Sequence, residues 1–327
     1  MSVTFSGAFT FSGGGFTATL APPPSTATAG WYAGGTTSPR TTLIDRITFA
    51  TDTATASVRG PLSSVRYQAA GAGTFTDGWI AGGGPVGPVS TVDRIIYATD
   101  TSTATSRGPL GIPMNALAGV SDNTTYGWYG GGSNLGVWSS YVQRITYAND
   151  TTTSTTKGPL SFATIFISAT GNTTYGWFAG GRLGAPSYLQ ISSVSRITYA
   201  TDTATASSRG PLSVSVEATG AIGTTIYGWF GGGYLSTSAD TSRVSRVTYA
   251  TDTLTATARG PLSLARTGLG VSTSGDENYG WFGGGEASFV ATSTIDRIEY
   301  ATDTATAPAR GPLSVARRQI AGVSGSQ

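Results

Sequence analysis

Few side chains in this sequence are equipped for chemistry. Histidine and cysteine are both absent. That removes the commonest general base, the commonest metal ligand, any thiolate nucleophile and any disulfide. The acids form two populations. Asp52, Asp100, Asp150, Asp202, Asp252 and Asp303 recur at a regular interval, whereas Glu217, Glu286 and Glu299 stand outside it. Glycoside hydrolysis needs two carboxylates converging on one bond, and the scattered acids show no such pairing. Asp77, Asp122, Asn123, Asn172, Asp276, Glu277 and Asn278 carry the oxygens that calcium takes. They fall in separate segments with no ligand-spaced loop, so neither a metal nor a cofactor is expected. The glycine strings, such as Gly231-Gly232-Gly233, lack the Lys-Ser/Thr ending and the following helix of a phosphate loop.

The remaining candidates are aromatic. Trp138, Tyr141, Tyr188, Tyr234 and Phe289, with Leu189, lie in segments of Ser, Thr, Asn and Gly. Aromatic rings beside short hydroxyls suit a sugar or a protein surface, and these five aromatics are the candidate ligand-binding residues. The alternative is that they pack on one another or line a subunit contact.

What positions them is a repeat. The stretch Tyr227-Gly228-Trp229-Phe230-Gly231-Gly232 recurs around Trp31, Trp79, Trp128, Trp177 and Trp281, with tryptophans 48, 49, 49, 52 and 52 residues apart. A second signal follows each copy, as in Ser245-Arg246-Val247-Thr248-Tyr249-Ala250-Thr251-Asp252, and places Arg46, Arg94, Arg144, Arg196, Arg246 and Arg297 in register. A third ends each copy with a basic residue, Gly, Pro and Leu, the basic residues being Arg59, Arg107, Lys157, Arg209, Arg259 and Arg310. Each unit reads as four short strands. In the fifth these are Ser213 to Gly220, Ile226 to Gly232, Val244 to Ala250 and Thr253 to Ala258, and the Gly-Pro step ends the ladder. No helical periodicity of useful length appears. A charge repeated once per unit reads as a turn cap or a contact between units, and the repeated tryptophans read as core.

Four short strands per unit, a Gly/aromatic motif and a period near 50 describe an all-β, six-bladed propeller. The first copy starts on its second strand at Gly30-Trp31, while Ser314 to Val323 at the end is a surplus first strand. The C-terminal strand therefore completes the first blade and leaves no open edge. The predicted organisation is an N-terminal arm at residues 1–29 and a propeller at 30–327. The arm holds one or two short strands around Ser12 to Gly15 and a Pro-rich spacer at Ala21 to Pro24. It is either a flexible leader or a segment that docks the protein to a larger assembly.

The double glycine closing the second strand, the aromatic third strand and the turn before the fourth resemble the kelch repeat over residues 30 to 323. Two departures stand out. The fourth strand carries small runs such as Thr53-Ala54-Thr55-Ala56 in place of a large aromatic, and the tryptophan sits in the second strand. Kelch-like propellers include a copper oxidase of galactose, but that site requires histidine and a cysteine-linked tyrosine. The chain is also similar in style to kelch-like tail and virion proteins of tailed bacteriophages, notably those infecting cyanobacteria. The resemblance implies a non-enzymatic virion structural protein. It would be tail-associated, held to other virion proteins through residues 1–29 and directed at a host glycan or protein. Capsid decoration and a soluble kelch-type interaction module are the alternatives. Charged residues are only 11%, with a net charge of +2 at pH 7, so no nucleic-acid surface is expected. Residues 1–15 lack the basic and apolar regions of a signal peptide, and no apolar run reaches the length of a membrane span. The expectation is a chain made in soluble form.

The segments that vary from unit to unit connect the second and third strands: Thr36 to Leu43, Pro85 to Val92, Ser133 to Val142, Arg182 to Val194, Tyr234 to Val244 and Glu286 to Ile295. On a propeller they gather on one face.

Overall fold

The computed structural model describes residues 10–12, 15–17, 27–37, 39–271 and 276–326. It is a six-bladed β-propeller of four-stranded antiparallel sheets. Of the arm, Thr10–Ser12 and Gly15–Thr17 form an antiparallel pair. Most of its other residues lie outside the described set.

The ring closes in blade 1. There Ala321–Gly325 is the first strand, followed by Ala29–Ala33, Ile44–Thr48 and Ser57–Arg59, with Trp31 opposite Val323 and Arg46. The other blades follow chain order. Blade 3, for instance, runs Ala118–Ser121, Tyr126–Gly130, Val142–Thr146 and Thr155–Lys157.

Two strand positions differ from expectation. In blade 5 the first strand is Gly220–Gly223, not the alternating Val/Ser segment before it, and the fourth is Thr257–Arg259. The inner shift has a steric cause. First strands of neighbouring blades converge on the axis, where a Cβ on Gly71 would stand 2.2 Å from the carbonyl oxygen of Gly322. Gly and Ala take the crowded positions and leave room for one larger residue, such as Val120, Ile222 or Val323, so the strand carries only a weak β signal of its own. The outer shift reflects a single 3₁₀ turn after each third strand, Tyr249–Thr251 in blade 5, which delays the return of the chain.

Blades pack by alternation along the second strand. In blade 1 Trp31 faces blade 2 and stacks on Tyr97 at 3.9 Å between ring centroids, while Ile80 of blade 2 faces back into the same core. The stack recurs at every interface: Trp79 on Tyr147, Trp128 on Tyr199, Trp177 on Tyr249, Trp229 on Tyr300 and Trp281 on Phe49. All six indoles are buried. Burying so large a ring is worth about 2–3 kcal/mol or more at each interface.

Candidate recognition surface

Each repeated aspartate is the hub of an interface. Asp100 of blade 2 accepts from Trp31 Nε1 at 2.8 Å and from Arg46 at 3.1 Å, with Arg59 at 3.5 Å, all three from blade 1. The backbone oxygen of Asp100 takes the amide of Gly60 at 2.8 Å. Asp150, Asp202, Asp252 and Asp303 repeat the arrangement with Trp79, Trp128, Trp177 and Trp229 and the matching basic residues. Asp52 closes the ring with Trp281 at 2.9 Å and Arg297 at 3.1 Å. Arg59, Arg107, Lys157, Arg209, Arg259 and Arg310 complete the hubs. The geometry places the repeated Trp, Arg and Asp residues between blades.

A second buried network differs among blades. Arg66 pairs with Asp93, Arg266 with Asp296 at 2.7 Å and Arg317 with Asp45 at 2.8 Å, every partner fully buried. Burial pulls these guanidinium pKa values down and the facing carboxylates pull them back up. In blades 3, 4 and 5 the acid is replaced by Gln143, Ser195 or Ser245, and the arginine by Met114, Thr164 or Val216. Both members change together. The charged pairs occupy blades 6, 1 and 2, which flank the seam.

The segments between second and third strands share one end of the molecule with a ring about the axis. Gln68, Ala116, Phe166, Ala218, Gly268 and Gln319, one per blade, are all left-handed (φ from 53° to 64°). Each donates its amide to the carbonyl of the preceding blade's residue: Gln68 to Gln319, Ala116 to Gln68, and round to Gln319, which donates to Gly268 at 2.6 Å. The circle of six bonds is complete. It involves backbone alone, so its residue types are unrelated and no sequence signal marks it. The groups around it leave only about 100 Å³ of open space at the axis.

Outside this ring the surface diverges blade by blade. Trp138, on the short hairpin Ser133–Asn134/Val137–Trp138, meets Tyr188 of the blade 4 loop edge to face at 5.6 Å, with Arg182 over its ring. Arg182 also pairs with Glu217 of blade 5 at 3.2 Å. Burial raises the Glu217 pKa, and Arg182 and Gln190 oppose the shift. At the corresponding positions of the next-but-one interface the charges are exchanged, Glu286 of blade 6 pairing with Arg318 of blade 1. Tyr234 and Phe289 line one cleft between blades 5 and 6. Tyr141, half exposed, belongs to neither group. The five candidate aromatics thus form two separate pairs and one single residue. Leu135, Val137 and Val290 lie on the same loops, the first 82% exposed. Their signal was simply an apolar residue in a glycine- and serine-rich loop.

Most of the carboxylates raised as catalytic or metal candidates have other partners. Glu299 takes the Thr302 hydroxyl, and Asp77 pairs with Arg94. Asp122 and Asp276 cap their own turns, accepting amides from Thr124 to Tyr126 and from Asn278 and Tyr279. Among the described residues no group of three or more acids is placed to hold a metal ion. No family model matches this chain, and no curated protein matches it either.

Proposed function

We propose that this propeller is a non-enzymatic recognition module whose loop face binds a glycan or protein outside itself. One observation carries this reading. Six copies of one unit keep Trp, Arg and Asp at the blade interfaces, while the loops at one end differ in every copy and expose Leu135, Val137, Tyr188 and Phe289. The first set packs between blades, and the second stands exposed on the loops. Grouped exposed apolar side chains on a folded surface are the usual mark of a contact site. The partners already held by Glu217, Glu286 and Glu299 support a role without catalysis.

The test is binding to an array of immobilised glycans and proteins by the whole chain and two variants. One variant replaces Leu135, Val137, Tyr188 and Phe289 with serine; the other replaces Ile226, at the opposite end of its blade, with serine. Binding should fall with the first and persist with the second. Equal binding by the loop variant overturns the reading.

Residence in a virus particle, with residues 1–29 as the anchor, is the setting we propose for such a module. It is supported by the Thr/Gly/Ala-rich composition and the kelch-like style of the repeat. Immunogold labelling of source particles separates tail from capsid surface, and protein found only free and monomeric overturns the placement.

A further inference from the structure

The loops of blades 3 and 4 close on each other, ring against ring, through Trp138 and Tyr188. The loops of blades 5 and 6 do not. Among the described residues they are joined by a hydrogen bond from the Ser288 amide to Asp240 Oδ2 at 2.7 Å. Beneath it lies an open cleft of about 470 Å³, lined by Tyr234, Ser238, Asp240, Leu264, Ser288 and Phe289 among others. That volume falls in the usual range of small-ligand sites, about 300–1,000 Å³.

We infer that this cleft is a binding site for a neutral saccharide, an assignment that rests on the recognition reading above and names its ligand class. Three features converge. Phe289 is 81% exposed, and both it and Ser288 hold left-handed backbone (φ 68° and 49°), which turns the ring out beside the cleft instead of into the core. Tyr234 and Leu264 supply further apolar surface. Asp240 differs from Glu217 and Glu286: those two are matched by Arg182 and Arg318, whereas no ion pair to Asp240 occurs among the described residues. Its carboxylate is held in place by one amide and retains acceptor capacity, and a carboxylate can only accept.

A pyranose complements this set. Its C–H face covers an aromatic ring, and its hydroxyls donate to a fixed carboxylate in charge-assisted bonds. The Ser238 and Ser288 hydroxyls serve either direction. An anionic sugar would meet Asp240 with like charge. A lysine-bearing peptide would meet it favourably, so it is the competing ligand for the test.

Saturation-transfer NMR on the full chain decides it. The probes are methyl α-mannopyranoside, methyl β-galactopyranoside, maltotriose, N-acetylneuraminic acid and a Lys-Ser-Lys peptide. At least one neutral sugar should receive transfer at its C–H protons. Its affinity should fall about tenfold, equivalent to about 1.4 kcal/mol, in Phe289→Ala and in Asp240→Asn. It should be unchanged in Ile226→Ser, at the opposite end of the blade, and the acidic sugar should not bind. Both altered positions are on loops, and near-UV circular dichroism of the buried indoles verifies that the variants fold. Silence from every neutral probe, binding of the peptide alone, or a bound sugar indifferent to both variants overturns the assignment. If the array then still shows loss of binding in the Leu135/Val137/Tyr188/Phe289 variant, the recognition reading stands and only the saccharide cleft falls.

Discussion

Trp281 Nε1 donates to Asp52 Oδ2 at 2.9 Å across 229 residues of chain. The same two positions, one blade on, lie 69 to 75 residues apart at the other five interfaces. The bond between Trp281 and Asp52 is therefore the ordinary interface of this propeller, used to join its last blade to its first. No special clasp is needed beyond the strand exchange in blade 1.

Replacing Asp52 with asparagine should cost about 2–4 kcal/mol. Asparagine still accepts from the indole but leaves Arg297 and Arg310 without a counter-ion at a site where the acid is nearly buried. Urea unfolding measures it, and a midpoint within error of the parent would show that the hub contributes packing only.

The joint change of Arg66 and Asp93 with their counterparts in blade 3 makes a double-mutant cycle. Arg66→Met alone strands a buried carboxylate, and Asp93→Gln alone strands a buried guanidinium; each should cost about 3–5 kcal/mol. The pair together copies Met114 and Gln143, whose amide exchanges hydrogen bonds with Ile112 at 2.8 and 3.0 Å. It should come back to within about 1 kcal/mol of the parent. A double variant as unstable as the sum of the singles would mean that the blades are not interchangeable here.

Ala116 and Ala218 hold left-handed backbone in the axial ring, where blade 6 has Gly268. Left-handed geometry disfavours alanine, and the greater freedom of glycine in the unfolded chain offsets part of the relief. Ala116→Gly and Ala218→Gly should each stabilise by up to about 1 kcal/mol. A loss of stability in thermal melts would show that the methyl groups contribute packing at the axis that outweighs the strain.

Burial raises the pKa values of Tyr97, Tyr129, Tyr147, Tyr199 and Tyr249. The unfolded chain releases these protons near pH 10, about the ordinary phenol value. The folded protein holds them longer, so the linked stability is complete below that pH and is lost as pH rises above it. Tyrosinate absorbance from this set should appear together with loss of the near-UV signal of the stacked indoles. Ionisation of all five within an intact near-UV spectrum would contradict the packing.

Much of the architecture was legible because it repeats. Trp229, Arg246, Asp252 and Gly260-Pro261 each recur six times, and a residue kept in six copies declares its structural use without any partner being seen. The offset between Trp31 at one end and Ser314 to Val323 at the other was enough to place the seam. The first strand was misplaced because its sequence, Gly-Ala-Ile-Gly in blade 5, answers to crowding at the axis and not to strand propensity. The candidate site was legible only as a set of loops. That Trp138 meets Tyr188, that Tyr234 and Phe289 share a cleft, and that no cation among the described residues pairs with Asp240 depend on which loops are neighbours.

The sequence by itself determined the number of blades, the strand content of each and the residues between them, because those follow from local pattern and from identity between copies. The tertiary structure alone decided the axial ring and the open cleft. The ring is made of backbone bonds that any residue except proline can supply. The cleft is the space between two loops more than 40 residues apart, and each loop's own sequence is silent about the distance to the other.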